Sequence, residues 1–547
     1  MIHCPFSVGV LMSHEIPAPS TLDRRSFLAS SLAVGSATLV AQSTKGTAPT
    51  MASFHLEEAT LDELRIGLEA GRWTSQDLVS KYLARIGALD QAGPALRSVI
   101  EVNPDALALA QQLDAERKKT GPRSPLHGIP MLVKDNLDTA DRMKTTAGSL
   151  ALADAPPPAR DAFMVQKLRE AGVLLLGKTN LSEWANLRST RSTSGWSGRG
   201  GQTRNPYALN RNPSGSSSGS AVAVAANFCA AALGTETDGS IVSPASMNGI
   251  VGLKPTVGLL SRNGIIPISH TQDTAGPMTR TVRDAALLLT VLAGTDPRDR
   301  ATGSVDRERV ADYTRFLDPR GLQGTRLGVV KNLMGLHAHV DRVIQGALEI
   351  LQAAGATLVE VELKSSAYDA AELEVLLYEF KADLNAYLAG RGGPVKNLET
   401  LIAFNNQQAA KEMPFFGQEL LQQAQTKGPL TEESYLKALA TCRQARSDIE
   451  ALCGRQTLAA LVAPTGSPAW LTDPVNGDAP GFSCSTFAAV AGTPHLTVPA
   501  GFAFGLPVGL SFFGRAWTEG TLLNLGYAFE QLSKARRPPH FRATAQL

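Results

Sequence analysis

Two serine- and glycine-rich turns are the residues of this chain best suited to chemistry. Asn212-Pro-Ser-Gly-Ser-Ser-Ser-Gly-Ser220 is followed by an Ala/Val-rich run, Ala221 to Ala226, and then by Leu233-Gly-Thr-Glu-Thr-Asp-Gly-Ser-Ile-Val242. By composition alone the first run reads as a flexible linker. A linker lies between domains in polar surroundings, whereas this run abuts a helix-like apolar stretch and a second Gly/Ser turn, which predicts a structured loop. A serine hydroxyl is a weak nucleophile until its proton has an acceptor, and a neutral amine can be that acceptor where no histidine is near.

Other motifs compete for the same residues. Gly172-x4-Gly177-Lys178-Thr179 matches the phosphate-binding pattern formally, but the intervening Val-Leu-Leu-Leu forms strand and leaves no loop to cradle phosphate. Gly215-Ser-Ser-Ser-Gly219 satisfies Gly-x-Ser-x-Gly, which would make Ser217 the nucleophile of an α/β-hydrolase esterase with His495 or His540 as base. That elbow needs a strand immediately before it, and Asn210-Arg-Asn-Pro-Ser214 is a turn sequence. Cys4, Cys229, Cys442, Cys453 and Cys484 are odd in number and scattered, which favours free thiols over a disulfide framework. Only His337 and His339 lie close together among the histidines, and no His-Glu-x-x-His occurs, so neither a metal nor another cofactor is expected.

The two turns, with Lys134 upstream, Gly177-Lys-Thr-Asn-Leu-Ser-Glu-Trp184 between and Gly252-Leu-Lys-Pro-Thr256 after, resemble the signature of the amidase signature family. Within it the chain looks most similar to bacterial peptide amidases, which remove the C-terminal carboxamide of peptides. The resemblance implies an α/β amidase signature fold, a mixed central sheet covered by helices on both faces. It implies Ser240 as nucleophile, Ser216 as a bridging serine preceded by a cis peptide bond, and Lys134 as base. It also implies an oxyanion hole built from the backbone N–H groups of Thr237, Asp238, Gly239 and Ser240. An unperturbed lysine titrates near ~10.4, so Lys134 must be buried or face positive charge to work as a base. The alternatives are a general aliphatic or aryl amidase, a non-catalytic binding protein and a glutamine-hydrolysing amidotransferase subunit.

The turn departs from the wider family's Gly-Thr-Asp-x-Gly-Gly-Ser-Ile-Arg at Glu236, Asp238 and Val242, and Ser218 stands where a glycine is usual. The Asp and Arg that would pair around the nucleophile are replaced, so another contact must hold the turn. The resemblance sets Asp238 beside the scissile bond, where it is expected to favour an amide NH2 group by accepting its hydrogen bond.

These loops need a rigid frame. From Glu57 to about Leu89 the apolar spacing predicts two amphipathic helices, and Pro104 to Lys119 predicts another. Gly128 to Lys134 and Gly172 to Gly177 are nearly continuous apolar runs, the pattern of strands covered on both faces, with a helical pattern from Asp161 to Ala171 between them. Alternation of strands and helices predicts an α/β layer arrangement. Residues about 305–450 form a largely helical block, with helices at Arg342 to Ala353, Ala371 to Leu388 and Glu432 to Leu452. Strands return at Leu458 to Ala463, His495 to Pro499 and Val508 to Phe513, before a closing helix from Thr518 to Lys534. Strands on both sides of the block predict one interleaved domain over 46–547.

Ahead of it, Thr21-Leu-Asp-Arg-Arg-Ser-Phe-Leu28 resembles a twin-arginine export signal, with Arg24 and Arg25 as the pair. Residues 1–45 therefore read as signal and linker, and a periplasmic location is expected. The uncharged stretch Ser26 to Thr44 is too rich in Ser, Gly and Ala for a spanning helix, so no stable membrane insertion follows export. Hydrophobic residues make up 43% and charged residues 19%, the balance of a folded globular enzyme. The formal charge of +2 gives no field to attract nucleic acid, and Arg117-Lys118-Lys119 and Lys534 to Arg537 read as solvated faces. The partner expected is a small-molecule or peptide amide substrate; nothing in the sequence sets an oligomeric state.

Overall fold

In the computed structural model, which describes residues 56–364 and 368–546, the apolar runs become the interior of one sheet. The strands in chain order are β1 (Val99–Val102), β2 (Pro130–Lys134), β3 (Leu174–Thr179), β4 (Trp196–Ser197), β5 (Gly201–Gln202), β6 (Ala232–Glu236), β7 (Val251–Lys254), β8 (Thr274–Thr279), β9 (Arg326–Val330), β10 (Thr357–Val361), β11 (Ala460–Pro464), β12 (His495–Ala503) and β13 (Leu506–Phe513). Apart from the β4–β5 ribbon they form an 11-stranded sheet in the order β1-β3-β2-β6-β8-β7-β12-β13-β11-β9-β10. The sheet is mixed: β2 runs parallel to both β3 and β6, while β8 is antiparallel to β6 and β7. Every residue of β2, β3, β6, β7 and β8 is buried. Both faces are therefore covered, which is why these strands read as apolar runs rather than as alternating ones.

The opening helices are Leu61–Glu69 and Ser75–Arg85, started by capping boxes of Thr60 with Glu63 and Thr74 with Asp77. Each box satisfies two backbone N–H groups that the first helical turn leaves free. The next helix begins at Ala106 rather than Pro104 and ends at Thr120, before Gly121 at φ +83°.

Helices dominate the 305–450 block, with Ala338–Ala353, Asp369–Arg391 and Glu433–Gln456 the longest. Two of its faces are apolar. Val375 and Tyr378 pack with Tyr435, Leu439 and Cys442, while Leu377, Phe380, Leu384 and Leu388 pack against Leu398, Leu401 and Leu421. Burying one such side chain stabilises the fold by about 1.5–3 kcal/mol. The block also holds β9 and β10, which the helical pattern hid. They pair in parallel and extend the sheet edge through β11, and the partial exposure of β10 interrupts the continuous apolar signal.

Cys229, Cys442, Cys453 and Cys484 are buried free thiols. The basic runs are not purely solvated. Arg117 donates to the carbonyl of His127 at 2.6 Å, and Arg536 pairs with Glu58 at 2.6 Å while donating to the carbonyl of Gly249 at 2.7 Å. A guanidinium fork can serve a carboxylate and a carbonyl at once. The expected signal around Arg24 and Arg25 lies outside the described residues. Among those described, no helix is long and apolar enough to cross a membrane.

Candidate active site

Parallel pairing of β2 with β6 sets Val133 opposite Leu233 and so brings the ends of the two strands together. Lys134, the last residue of β2, is 0% exposed. Its Nζ lies 2.8 Å from Ser216 Oγ, 2.8 Å from Thr235 Oγ1, 3.1 Å from Ser217 Oγ and 3.3 Å from the carbonyl oxygen of Thr235. Burial disfavours the ammonium form and pushes the group down to about 7, against the opposing charges of Asp273 and Glu236. The partners are hydroxyls and a carbonyl, which orient the amine without supplying a counter-charge.

Ser216 sits just before the helix Ser218–Ala225, is 1% exposed, and follows a cis Gly215–Ser216 peptide bond. A side chain at Gly215 would place its Cβ 2.1 Å from Ser182 Oγ and so would have to displace Ser182. Asn212 Oδ1 accepts the N–H of Ser214 at 2.7 Å, and Ser218 Oγ donates back to the carbonyl of Ser214 at 2.6 Å. The serine at position 218 thus closes the loop where the family pattern has glycine. Ser217 Oγ donates to the carbonyl of Thr235 at 3.0 Å and accepts its N–H at 3.2 Å, stitching the loop to β6.

Ser240, 8% exposed, is tied to the same loop through the Ser217 N–H, which donates to its carbonyl at 3.1 Å. The turn leading to it passes through Gly239 at φ +75°, a left-handed conformation that glycine adopts without strain. The contact that replaces the family's Asp/Arg pair is local. Glu236 Oε2 accepts the N–H groups of Ile241 at 2.7 Å and Val242 at 3.0 Å, on the first turn of the helix Val242–Met247. Asp238 Oδ2 accepts from Thr486 Oγ1 at 2.7 Å, and burial pushes the carboxyl up against the side-chain hydrogen bonds of Ser485 and Thr486.

The structure therefore joins Lys134 to Ser216 directly and Ser240 to the same loop by its backbone. Sequence reasoning passed over Thr235, Asn136 and Ser217 as the groups around the amine. Asn136 lies two residues past Lys134, and its Nδ2 donates to Thr235 Oγ1 at 3.0 Å. Thr486 has no signal in the sequence, because it reaches Asp238 only through folding.

The rival motifs go elsewhere. Lys178 is inside β3, donating to the carbonyl of Leu137 at 2.7 Å and to Thr145 Oγ1 at 2.8 Å. His495 is buried in β12 with Nε2 2.6 Å from Ser511 Oγ, and burial together with Lys254 pushes it down to about 3. Ser217 Oγ has Thr235 and Lys134 as partners, and His540 is exposed. Among the described residues, His270, Glu379 and Asp383 form the one group with metal-like spacing, with the ring nitrogens of His270 3.4 Å from Glu379 and 2.9 Å from Asp383.

A mixed sheet that gathers a buried lysine and two serine turns at neighbouring strand ends defines a class of hydrolytic α/β enzyme. The Amidase family model matches residues 77–523, and the chain belongs to the amidase signature family. It is an amide-hydrolysing enzyme. It is 42% identical to a probable amidase of Arabidopsis thaliana over 500 residues, covering 90% of this chain and 93% of that protein. A glutamyl-tRNA(Gln) amidotransferase subunit of Thermoanaerobacter pseudethanolicus is 33% identical over 500 residues, with 88% and 98% covered. The solved structure of the native peptide amidase from Stenotrophomonas maltophilia superposes with a TM-score of 0.86 at 52% identity, covering 89% of this chain and 100% of that one.

Proposed function

We propose that this enzyme hydrolyses the C-terminal carboxamide of peptides to the free acid and ammonia, with Ser240 as nucleophile, Ser216 as proton relay and Lys134 as base. The observation that carries the mechanism is the 2.8 Å approach of Lys134 Nζ to Ser216 Oγ in a fully buried site. Burial holds the amine near the value a general base needs at neutral pH.

In the neutral form, the lone pair of Lys134 takes the proton of Ser216 as Ser216 takes that of Ser240, whose oxygen bonds to the amide carbon. The tetrahedral oxyanion is met by backbone N–H groups of Thr237, Asp238, Gly239 and Ser240; one such donor is worth about 2.7–4 kcal/mol in the transition state. Ser216 then hands a proton to the departing nitrogen and recovers it from the Lys134 ammonium, so ammonia leaves and an ester on Ser240 remains. Water repeats the sequence: its proton goes to Ser216 and Lys134, the ester bond breaks, and Ser240 regains a proton.

The peptide preference is supported by 52% identity to a protein named as a peptide amidase, against 33% to an amidotransferase subunit. The pair Arg24 and Arg25, in a twin-arginine-like setting, supports export to the periplasm as part of the same proposal.

The test is ammonia release from a C-terminally amidated peptide, with the free-acid peptide as control, for wild type, Lys134→Ala and Ser240→Ala. Release by wild type alone is expected. Mutants that match wild type would overturn the triad, and a wild type that acts on simple amides but not on the peptide would overturn the substrate class.

A further inference from the structure

Between the serine turn and the helix Asp369–Arg391 runs a short segment, Ile268 to Asp273, bonded to both. On the helix side Glu379 Oε2 accepts from Thr271 N at 3.1 Å and Thr271 Oγ1 at 2.9 Å, and Asp383 Oδ2 accepts the N–H of His270 at 2.9 Å. On the turn side Asp273 Oδ1 accepts from Thr237 Oγ1 at 2.6 Å, and Gln272 Nε2 donates to the carbonyl of Thr237 at 3.4 Å. The other carboxylate oxygen, Asp273 Oδ2, accepts the N–H groups of Ile268 at 2.8 Å and Ser269 at 2.9 Å.

This juxtaposition follows from the sheet. β6 and β8 are antiparallel with Glu236 opposite Thr274, so Thr237 and Asp273, each one step past a strand end, face one another. In the order β2-β6-β8, Asp273, just ahead of β8, is two strands from Lys134 at the end of β2. Both groups are buried, Asp273 at 8% exposure and Lys134 at 0%, so solvent screens their attraction weakly.

We propose that Asp273 is a positioning residue for amide hydrolysis: it fixes Thr237, the first residue of the oxyanion turn, and presents the negative charge against which Lys134 works. The proposal rests on the reading of Lys134 as base. Of the charges acting on Lys134, Asp273 leads and Glu236 follows, and both favour the ammonium form. Burial lifts Asp273 itself to about 6, while the hydrogen bonds from Thr237, Ser269 and Ile268 and the charge of Arg262 favour its ionised form. His270, Arg298, Asp299 and Asp383 line the cavity of about 200 Å³ on its outer side.

Asp273→Asn removes the charge and keeps the shape. Its amide oxygen can accept the two backbone N–H groups, and its NH2 can donate to Thr237 Oγ1. The acid limb of kcat/KM is then expected to move to lower pH, because the charge that favours the Lys134 ammonium is gone. Thr237→Val keeps the charge and cuts the contact. It is expected to lower kcat roughly tenfold to a hundredfold through misplacement of the turn, with KM and the acid limb unmoved and Thr237→Ser restoring the rate.

A folded Asp273→Asn whose acid limb stays in place overturns the electrostatic role, and a Thr237→Val with wild-type kcat overturns the positional one. If Asp273→Asn does not fold, by circular dichroism, the Val and Ser pair at Thr237 decides the positional role. Lys134→Ala, measured alongside, separates the two levels: activity with an unchanged acid limb in that variant means the base assignment has failed, whatever Asp273 does.

Discussion

Glu236 and Ile241 are joined side chain to backbone, with Glu236 Oε2 accepting the N–H of Ile241 at 2.7 Å across the turn that carries Ser240. A second bond, from Val242 N at 3.0 Å, makes the carboxylate the fastening of the whole turn. Glu236→Ala leaves two buried N–H groups without an acceptor, a cost of about 1–3 kcal/mol each. Its melting temperature and its ammonia release are both expected to fall sharply, while Glu236→Gln, which keeps an acceptor oxygen, falls much less. Equal losses in the two variants would mean that the charge rather than the acceptor matters.

Gly239 makes a narrower prediction. Its φ of +75° suits glycine, and an added Cβ would lie 2.9 Å from Ser485 Oγ. Gly239→Ala should cost on the order of 1–2 kcal/mol in backbone strain. Because the strain falls one residue before Ser240, the rate should drop more than tenfold even in samples shown to be folded by their melting curves. An active Gly239→Ala would place the turn's conformation outside the chemistry.

The lysine has two pH signatures with opposite meanings. For activity, kcat/KM is expected to rise as pH passes about 7, the value to which burial lowers Lys134, and Lys134→Ala removes the rise together with the activity. For stability the folded value is depressed, so the unfolded chain binds the extra proton between about 7 and the ordinary lysine range. Stability due to this group therefore increases as pH rises through that window. Urea midpoints of wild type and Lys134→Met should differ most in the variant's favour below pH 7 and converge above pH 10. A difference that is flat in pH would show that the amine is not neutral in the fold.

The sequence made the frame legible where both local signals agreed. Apolar runs such as Ile129 to Val133 became buried strands, and Ser/Thr-led amphipathic stretches became capped helices. β9 and β10 escaped because each is five residues long and lies among stronger helical patterns, and β10, at the sheet edge, is only partly buried. At the site, Lys134, Ser216 and the turn from Thr237 to Ser240 were readable as residue types in a pattern. Their neighbours were not: Asp273 meets Thr237 through a strand register, and Thr486 meets Asp238 from a distant part of the chain. A contact made by tertiary pairing leaves no local periodicity to read.

Ser217 separates the two serine chemistries this loop could support. Its hydroxyl donates to the carbonyl of Thr235 at 3.0 Å and accepts the Thr235 N–H at 3.2 Å, with Lys134 Nζ 3.1 Å away. Removing it in Ser217→Ala strips one partner from the amine and leaves a buried N–H unmet, at about 1–3 kcal/mol. A tenfold to hundredfold lower rate is the expected order of magnitude, because the orienting contact is lost while the reacting groups remain. Ser240→Ala is expected to abolish turnover. An esterase elbow would invert that order and need a histidine base, yet burial pushes His495 down to about 3, which leaves its imidazole a poor proton acceptor. His495→Ala should then weaken the core without moving the acid limb, and an acid limb lost in that variant alone would transfer the base role from Lys134 to His495.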